Sequence, residues 1–199
     1  MKIGIINYGA GNIQSVVNAL EKLGVKCDVL TIPSAFNSYD KLILPGVGAA
    51  RSAMDQLKKS GFIESIRKFK KPVLGICLGL QLFSDFSEEG GVECLSLMPG
   101  VVRKFDGNLF GLKVPQIGWN KVSICKNDPI FDGVADGEFF YFVNSFYLET
   151  DEKYVLGQTL YGISFASVVR SGNYWATQFH PEKSGEIGLK LLNNFCSKC

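Results

Sequence analysis

The chain of 199 residues predicts an α/β fold: an open, mostly parallel central sheet with flanking helices and an additional antiparallel strand region in the C-terminal half. Three observations lead there. The first half alternates short apolar runs with stretches of helical periodicity, the pattern of repeated β-α units. The second half carries strand-like runs separated by Gly, Asn and Asp turns. Hydrophobic residues make up 46% of the chain and charged residues 20%, enough for one well-filled core, so residues 1–199 are expected to form a single domain.

Lys2–Ile6 reads as a first buried strand. Asn12–Leu23 places Ile13, Val16, Val17, Leu20 and Leu23 at helical spacing, and Gly24 closes that helix. Val25–Ile32 and Lys41–Leu44 read as the next strands, the latter running into Pro45-Gly46-Val47-Gly48. A helix from about Ala50 to Lys70 is interrupted near Gly61. Pro72–Ile76 is an apolar strand, and a helix over Leu78–Phe86 starts straight after Cys77. Glu88–Gly91 is a loop within the domain. Strands are expected at Gly100–Phe105, Lys113–Ile124, Glu138–Val143, Tyr154–Thr159, Ser164–Arg170 and Tyr174–Phe179. A last helix over Gly185–Phe195 sets Ile187, Leu191, Leu192 and Phe195 on one side.

A net charge of +2 gives no basis for binding nucleic acid or a membrane surface. No apolar stretch reaches the roughly 18–20 residues of a membrane span. The N-terminal run is broken too early by Asn7 and Gly9 for a signal peptide, so a cytoplasmic location is expected. In that compartment the six cysteines are reduced thiols. Cys27, Cys94 and Cys125 read as small hydrophobes or surface thiols. Cys196 and Cys199 form a C-x-x-C that lacks the further ligands of a zinc site and the helix start of a redox pair. No metal and no cofactor are called for.

The chemistry concentrates in two places. Gly75-Ile76-Cys77-Leu78-Gly79 is a small-x-nucleophile-x-small pentapeptide between a strand and a helix, the arrangement of a nucleophile elbow. Side chains at 75 and 79 would collide with the neighbouring strand and helix, and the turn strains the backbone of Cys77. The thiol faces the positive end of the following helix, and the Leu78 N–H is placed to donate to an oxyanion. Far downstream stands the one histidine of the chain, His180, in Gln178-Phe179-His180-Pro181-Glu182. Its unperturbed pKa suits base chemistry near neutral pH, and Glu182 is placed to orient the ring.

With Gly75-x-Cys77-x-Gly79-x-Gln81 and His180-Pro181-Glu182 both present, the chain resembles the class I, triad-type glutamine amidotransferases. Asn7-Tyr8-Gly9-Ala10-Gly11-Asn12, Pro45–Gly48, Gly118-Trp119-Asn120, Tyr141-Phe142-Val143 and Gln178–Ser184 narrow the resemblance to the glutaminase subunits of imidazole glycerol phosphate synthase. The resemblance implies that Cys77 attacks the side-chain amide of L-glutamine, His180 shuttles protons and Glu182 orients it. It implies an oxyanion hole from Leu78 and the Gly46–Val47 peptide, which reorients before catalysis. Gln81, Gly48 and the backbone at Ser145 and Phe146 would hold the substrate. Ammonia would pass to a (β/α)₈ synthase partner that makes imidazole glycerol phosphate and an aminoimidazole carboxamide ribonucleotide, as in histidine biosynthesis. Asn12, Trp119 and Tyr141 are candidates for the docking face; otherwise the two aromatics are ordinary core residues.

Two departures bear on the partner. The family reads Pro-His-Met-Gly-Trp-Asn where this chain has Pro115-Gln116-Ile117-Gly118-Trp119-Asn120, and Tyr-Phe-Val-His-Ser-Tyr where it has Tyr141-Phe142-Val143-Asn144-Ser145-Phe146. Neither missing histidine belongs to the triad, so glutamine hydrolysis is untouched. Both lie where the family docks its partner or lines the ammonia exit. The alternative acceptor is therefore a sugar amidotransferase of surface-polysaccharide biosynthesis, fed by a paralogous glutaminase. A cysteine hydrolase working alone is a further alternative for the same triad. Gly9-Ala10-Gly11 lacks the third glycine of a dinucleotide fingerprint, Gln14 standing there, and no Walker lysine follows Gly46-Val47-Gly48.

Overall fold

The computed structural model describes residues 1–9 and 11–199, Leu109 and Phe110 by their backbone alone. Ala10, within the Asn7–Asn12 stretch, lies outside the described residues. In chain order the first half contains β1 (Ile3–Ile6), α1 (Ile13–Lys22), β2 (Cys27–Leu30), β3 (Lys41–Gly46), α2 (Ala50–Lys59), α3 (Phe62–Lys68), β4 (Val73–Cys77) and α4 (Leu78–Phe83). Then come β5 (Phe86–Ser87), β6 (Val92–Glu93), β7 (Val101–Lys104), α5 (Gly107–Phe110), β8 (Gln116–Lys121), β9 (Ser123–Ile124) and β10 (Phe139–Asn144). The chain ends with β11 (Phe146–Glu149), β12 (Val155–Tyr161), β13 (Ile163–Ser171), β14 (Tyr174–Thr177) and α6 (Gly185–Lys198).

Among the described residues one twelve-stranded sheet runs β2-β1-β3-β4-β14-β13-β11-β7-β5-β6, with β12 on β13 and β9 on β12. It is parallel from β2 through β14 and turns antiparallel at the β14–β13 pair. β8 and β10 form a separate antiparallel ribbon. The parallel strands are continuous apolar runs because both faces are covered. Along β3, Leu42 and Leu44 pack in one core with Met54, Leu57 and Ile66 of α2 and α3. Ile43, pointing the other way, packs with Val16 and Leu20 of α1 and Leu191 and Phe195 of α6. The two expected helix ends hold: Gly24 takes φ +69° after α1, and Gly61 takes φ +73° between α2 and α3.

Several boundaries differ from expectation. The helix after Cys77 stops at Phe83, because the Ser84 hydroxyl donates to the Gln81 carbonyl at 2.7 Å and Phe86 joins β7 as a strand. The expected Lys113–Ile124 strand splits between two sheets. The ribbon register runs to the Lys121–Phe139 pair, backbone bonds continue from Val122 to Glu138 and Gly137, and Val122 is buried before β9 joins β12 in the large sheet. β11 was not expected: the chain bends at Ser145, whose carbonyl accepts from the Phe105 N–H at 3.0 Å, and re-enters the large sheet. The short α5 was likewise not expected. The last strand ends at Thr177, and α6 continues to Lys198. No helix is long and apolar enough to cross a membrane among the described residues.

Candidate active site

Cys77 ends β4 and caps α4 with φ +53° and ψ −104°. A non-glycine residue held there costs on the order of 1–3 kcal/mol, which the surrounding packing must over-determine. That packing is possible because of the two glycines. A Cβ at Gly79 would overlap the Leu44 carbonyl oxygen of β3, and one at Gly75 would lie 2.8 Å from the Gly79 backbone. These are the collisions expected from the pentapeptide.

His180 follows β14, the parallel neighbour of β4, so the two residues leave the C-terminal ends of adjacent strands. The His180 Nδ1 lies 2.8 Å from Glu182 Oε1, and both side chains are almost wholly buried. With Nδ1 on the carboxylate, the other ring nitrogen is left for the cavity that His180 shares with Cys77. Burial opposes charge on the ring. Hydrogen bonds to Cys77 and Glu182, and the negative charge of both, outweigh it and push the His180 pKa up to about 10.

The base is fixed from behind. Its N–H donates to the Tyr141 carbonyl at 2.9 Å, and the Ser184 hydroxyl donates to the His180 carbonyl at 2.6 Å while accepting from the Tyr141 N–H at 3.0 Å. Phe179 stacks on Phe140 of β10 with centroids 4.1 Å apart. α6 closes on this turn at Gly188, where a Cβ would overlap the Pro181 carbonyl.

Cys77 and His180 open into a cavity of about 280 Å³ that is also lined by Val47, Gly48, Leu78, Gln81, Ser145 and Phe146. Gly46 pairs with Cys77 in the β3–β4 register. It lies under the buried Tyr8 hydroxyl, which a Cβ on Gly46 would approach to 2.5 Å. That hydroxyl has no partner among the described residues, and burial together with the charge at Cys77 pushes its pKa up. Val47 is exposed, and Gly48 takes φ +100° with open space where a Cβ would be. Gln81 donates from Nε2 to the Phe146 carbonyl and to Gln178 Oε1, each at 3.3 Å.

Asn12, Trp119 and Tyr141 lie outside this cavity. Trp119 is 55% exposed, so it is not an ordinary core aromatic, and it meets the half-buried Tyr141 edge to face at 6.0 Å on the outer side of the ribbon. Ile117 and Phe139 are exposed beside them. Asn12 stands before α1 without a side-chain capping bond.

Four contributors were not singled out from the sequence. Gln178 Nε2 approaches the Cys77 sulfur at 3.8 Å, and the Val143 carbonyl lies 3.7 Å from the same sulfur. Gln178 was findable, since residues two apart on an extended segment share a face and Gln178 precedes His180 by two. Glu89 and Lys183 bring opposite charges to the cavity wall; Lys183 shares the turn of His180, and only the fold brings Glu89 there.

The family model for class-I glutamine amidotransferases matches residues 4–199. The imidazole glycerol phosphate synthase subunit HisH 1 of Campylobacter jejuni (strain 81-176) is 46% identical over 198 residues, covering 97% of this chain and 98% of that one. The HisH subunit of Bacteroides fragilis (strain ATCC 25285) is 45% identical over 195 residues, covering 98% of each. Among solved structures, a crystal structure of a glutamine amidotransferase superposes with a TM-score of 0.75 at 19% identity over 98% of each chain. The structure of PurLQS from Thermotoga maritima superposes with a TM-score of 0.73 at 19% identity, over 98% of this chain and 97% of that one. At such identities the two structures show the shared fold. The chain belongs to the class-I glutamine amidotransferases, which makes it an enzyme of the glutaminase type, and within them to the HisH family.

Proposed function

We propose that this single domain hydrolyses L-glutamine to glutamate and ammonia through a cysteine thioester and delivers the ammonia to a (β/α)₈ synthase subunit. The observation that carries the reading is the buried Glu182–His180–Cys77 line at the end of two adjacent parallel strands. The Cys77 thiolate attacks the amide carbon of glutamine, and the oxyanion is met by the Leu78 N–H and by the Val47 N–H once the Gly46–Val47 peptide has turned. His180 gives its proton to the departing nitrogen as the carbon–nitrogen bond breaks. A water then attacks the thioester, losing a proton to His180, and glutamate leaves as the sulfur anion reforms. Glu182 keeps the ring in register. The substrate's zwitterionic end meets Glu89 and Lys183, the oppositely charged residues of the cavity wall, and the backbone near Ser145 and Phe146. An oxyanion donor missing until the partner is loaded costs about 3 kcal/mol, on the order of a hundredfold in rate.

The names of the relatives support an imidazole glycerol phosphate synthase as acceptor; the aminoimidazole carboxamide ribonucleotide is the second product in this reading. The exposed aromatics on the ribbon support a heterodimeric docking face that includes Trp119, with Tyr141 and Asn12 near it. Free cysteines support a reducing, cytoplasmic setting. The test is reconstitution. Glutamate release by the chain alone should be slow and should rise about a hundredfold when the synthase subunit and its nucleotide substrate are added. Capture of a sugar amidotransferase from the native cytoplasm, with no response to the synthase, would overturn the acceptor. Full activity without any partner would point to a hydrolase working alone.

A further inference from the structure

We infer that Arg51 is a positioning residue of the glutamine site: it clamps the β5–β6 turn so that Glu89 stands in the cavity and selects substrates carrying an α-ammonium group. The inference rests on the glutaminase reading above. β5 and β6 are strands of two residues each at the far edge of the large sheet. A hairpin that short is marginal on its own, so its turn, Glu88–Gly91, needs outside support. One side comes from β7, where Glu88 accepts from Arg103 Nη1 at 2.8 Å and from the Lys104 N–H at 3.0 Å. The other side, Glu89–Gly91, depends on the start of α2. The Ala50 N–H donates to Glu89 Oε2 at 2.8 Å, Arg51 Nε to the Gly90 carbonyl at 2.7 Å and Arg51 Nη2 to the Gly91 carbonyl at 2.8 Å. The contact is also close: a Cβ on Gly90 would lie 2.8 Å from the Arg51 Cβ.

Arg51 stands where a local rule forbids it. In the first turn of a helix the free peptide N–H groups make the end positive and favour an acidic side chain. α2 has no acidic residue in that turn, and its N-cap, Ala49, makes no side-chain capping bond. Glu89, 39 residues downstream, supplies both the cap and the negative charge. A cation set against the helix dipole marks a demand other than helix stability. The demand visible here is the fork: two donors of one planar guanidinium reach two successive carbonyls, which fixes both the place and the rotation of the turn. Glu89 Oε2 is taken by the cap, so Oε1 is left for the cavity that Glu89 lines with Lys183. Arg51 is not among the described residues lining that cavity, so it acts on the substrate through Glu89.

The test compares L-glutamine with glutaramate, the same amide acid without its α-ammonium, using the full chain, the synthase subunit and its ligand. The reading is the ratio of the two kcat/KM values for hydrolysis. Where glutaramate turns over too slowly to follow, its Ki against L-glutamine takes its place. Arg51→Met keeps the aliphatic stem and removes the fork. It should lower the ratio about tenfold, through a higher KM for L-glutamine with kcat within about twofold of native, and leave glutaramate unaffected. Arg51→Lys, a single point donor, should fall between the two and serves if the first variant fails to fold. Glu89→Gln should lower the ratio at least as far, and adding Arg51→Met to it should change nothing more. An unchanged ratio in folded Arg51→Met or Glu89→Gln overturns the inference. So does an equal loss on both substrates, which marks a merely structural clamp. A native complex that hydrolyses no glutamine refutes the glutaminase reading instead, and the inference with it.

Discussion

The parallel half of the large sheet and the β8–β10 ribbon face the same cavity but are built in opposite ways. The parallel half holds Cys77 and His180 on adjacent strands whose residues are buried throughout, and its backbones approach so closely that Gly75, Gly79 and Gly188 leave no room for a methyl group. The ribbon buries only its inner face, where Phe140 and Phe142 pack against Phe179. Its outer face leaves Ile117, Trp119 and Phe139 exposed. Chemistry that must hold a sulfur, a ring and a carboxylate in register sits on the rigid part. Under the proposed function the exposed outer face of the ribbon is left for the partner.

The sharpest way to break this division is to remove the sulfur. Cys77→Ala should lower glutamine-dependent product formation at least about 10⁴-fold while leaving product formation from added ammonium salt intact in the complex. Steady-state assays with the two nitrogen sources check it, and loss of both would show that the halves are not separable. Next in size is Gly79→Ala, which drives a methyl group into the Leu44 carbonyl. It should cost about 3 kcal/mol in urea unfolding, whereas alanine at Gly111 or Gly172, where nothing crowds the position, should cost less.

On the ribbon, Trp119→Ala should weaken the complex by about 2 kcal/mol, roughly thirtyfold in Kd by calorimetry, with the melting temperature of the free chain unchanged. A loss of stability without loss of affinity would return Trp119 to the core. The smallest effect tests the seam between the two parts. Ser184→Ala removes the hydroxyl that ties His180 to Tyr141 and should lower kcat about tenfold with little change in KM.

The same contrast explains what could be read from the sequence. In the parallel half, apolar runs and helical periodicity carry the strands and helices within a few residues, and the elbow and His180-Pro181-Glu182 carry the triad. Those signals are local. Glu89 and the Val143 carbonyl acquire their places only through long-range packing, which leaves no local mark, whereas Ser184 and Lys183 sit in the same turn as His180. The ribbon was the least legible element because Lys113–Ile124 reads as one strand although it serves two sheets. It divides where Ser123–Ile124 leaves the ribbon to pair with β12, and what separates β11 from β10 is a bend at Ser145.

The coupling of His180 to Cys77 is the central claim, and a chain with one histidine makes it directly measurable. The folded pKa is raised from 6.5 to about 10, so the stability contributed by the charged ring is whole below about pH 6.5 and is lost as pH rises toward 10. The imidazole resonances of an untagged chain should therefore titrate with a midpoint well above 6.5, and Cys77→Ala should bring the midpoint down. A native midpoint at or below 6.5, unmoved by Cys77→Ala, would contradict the account.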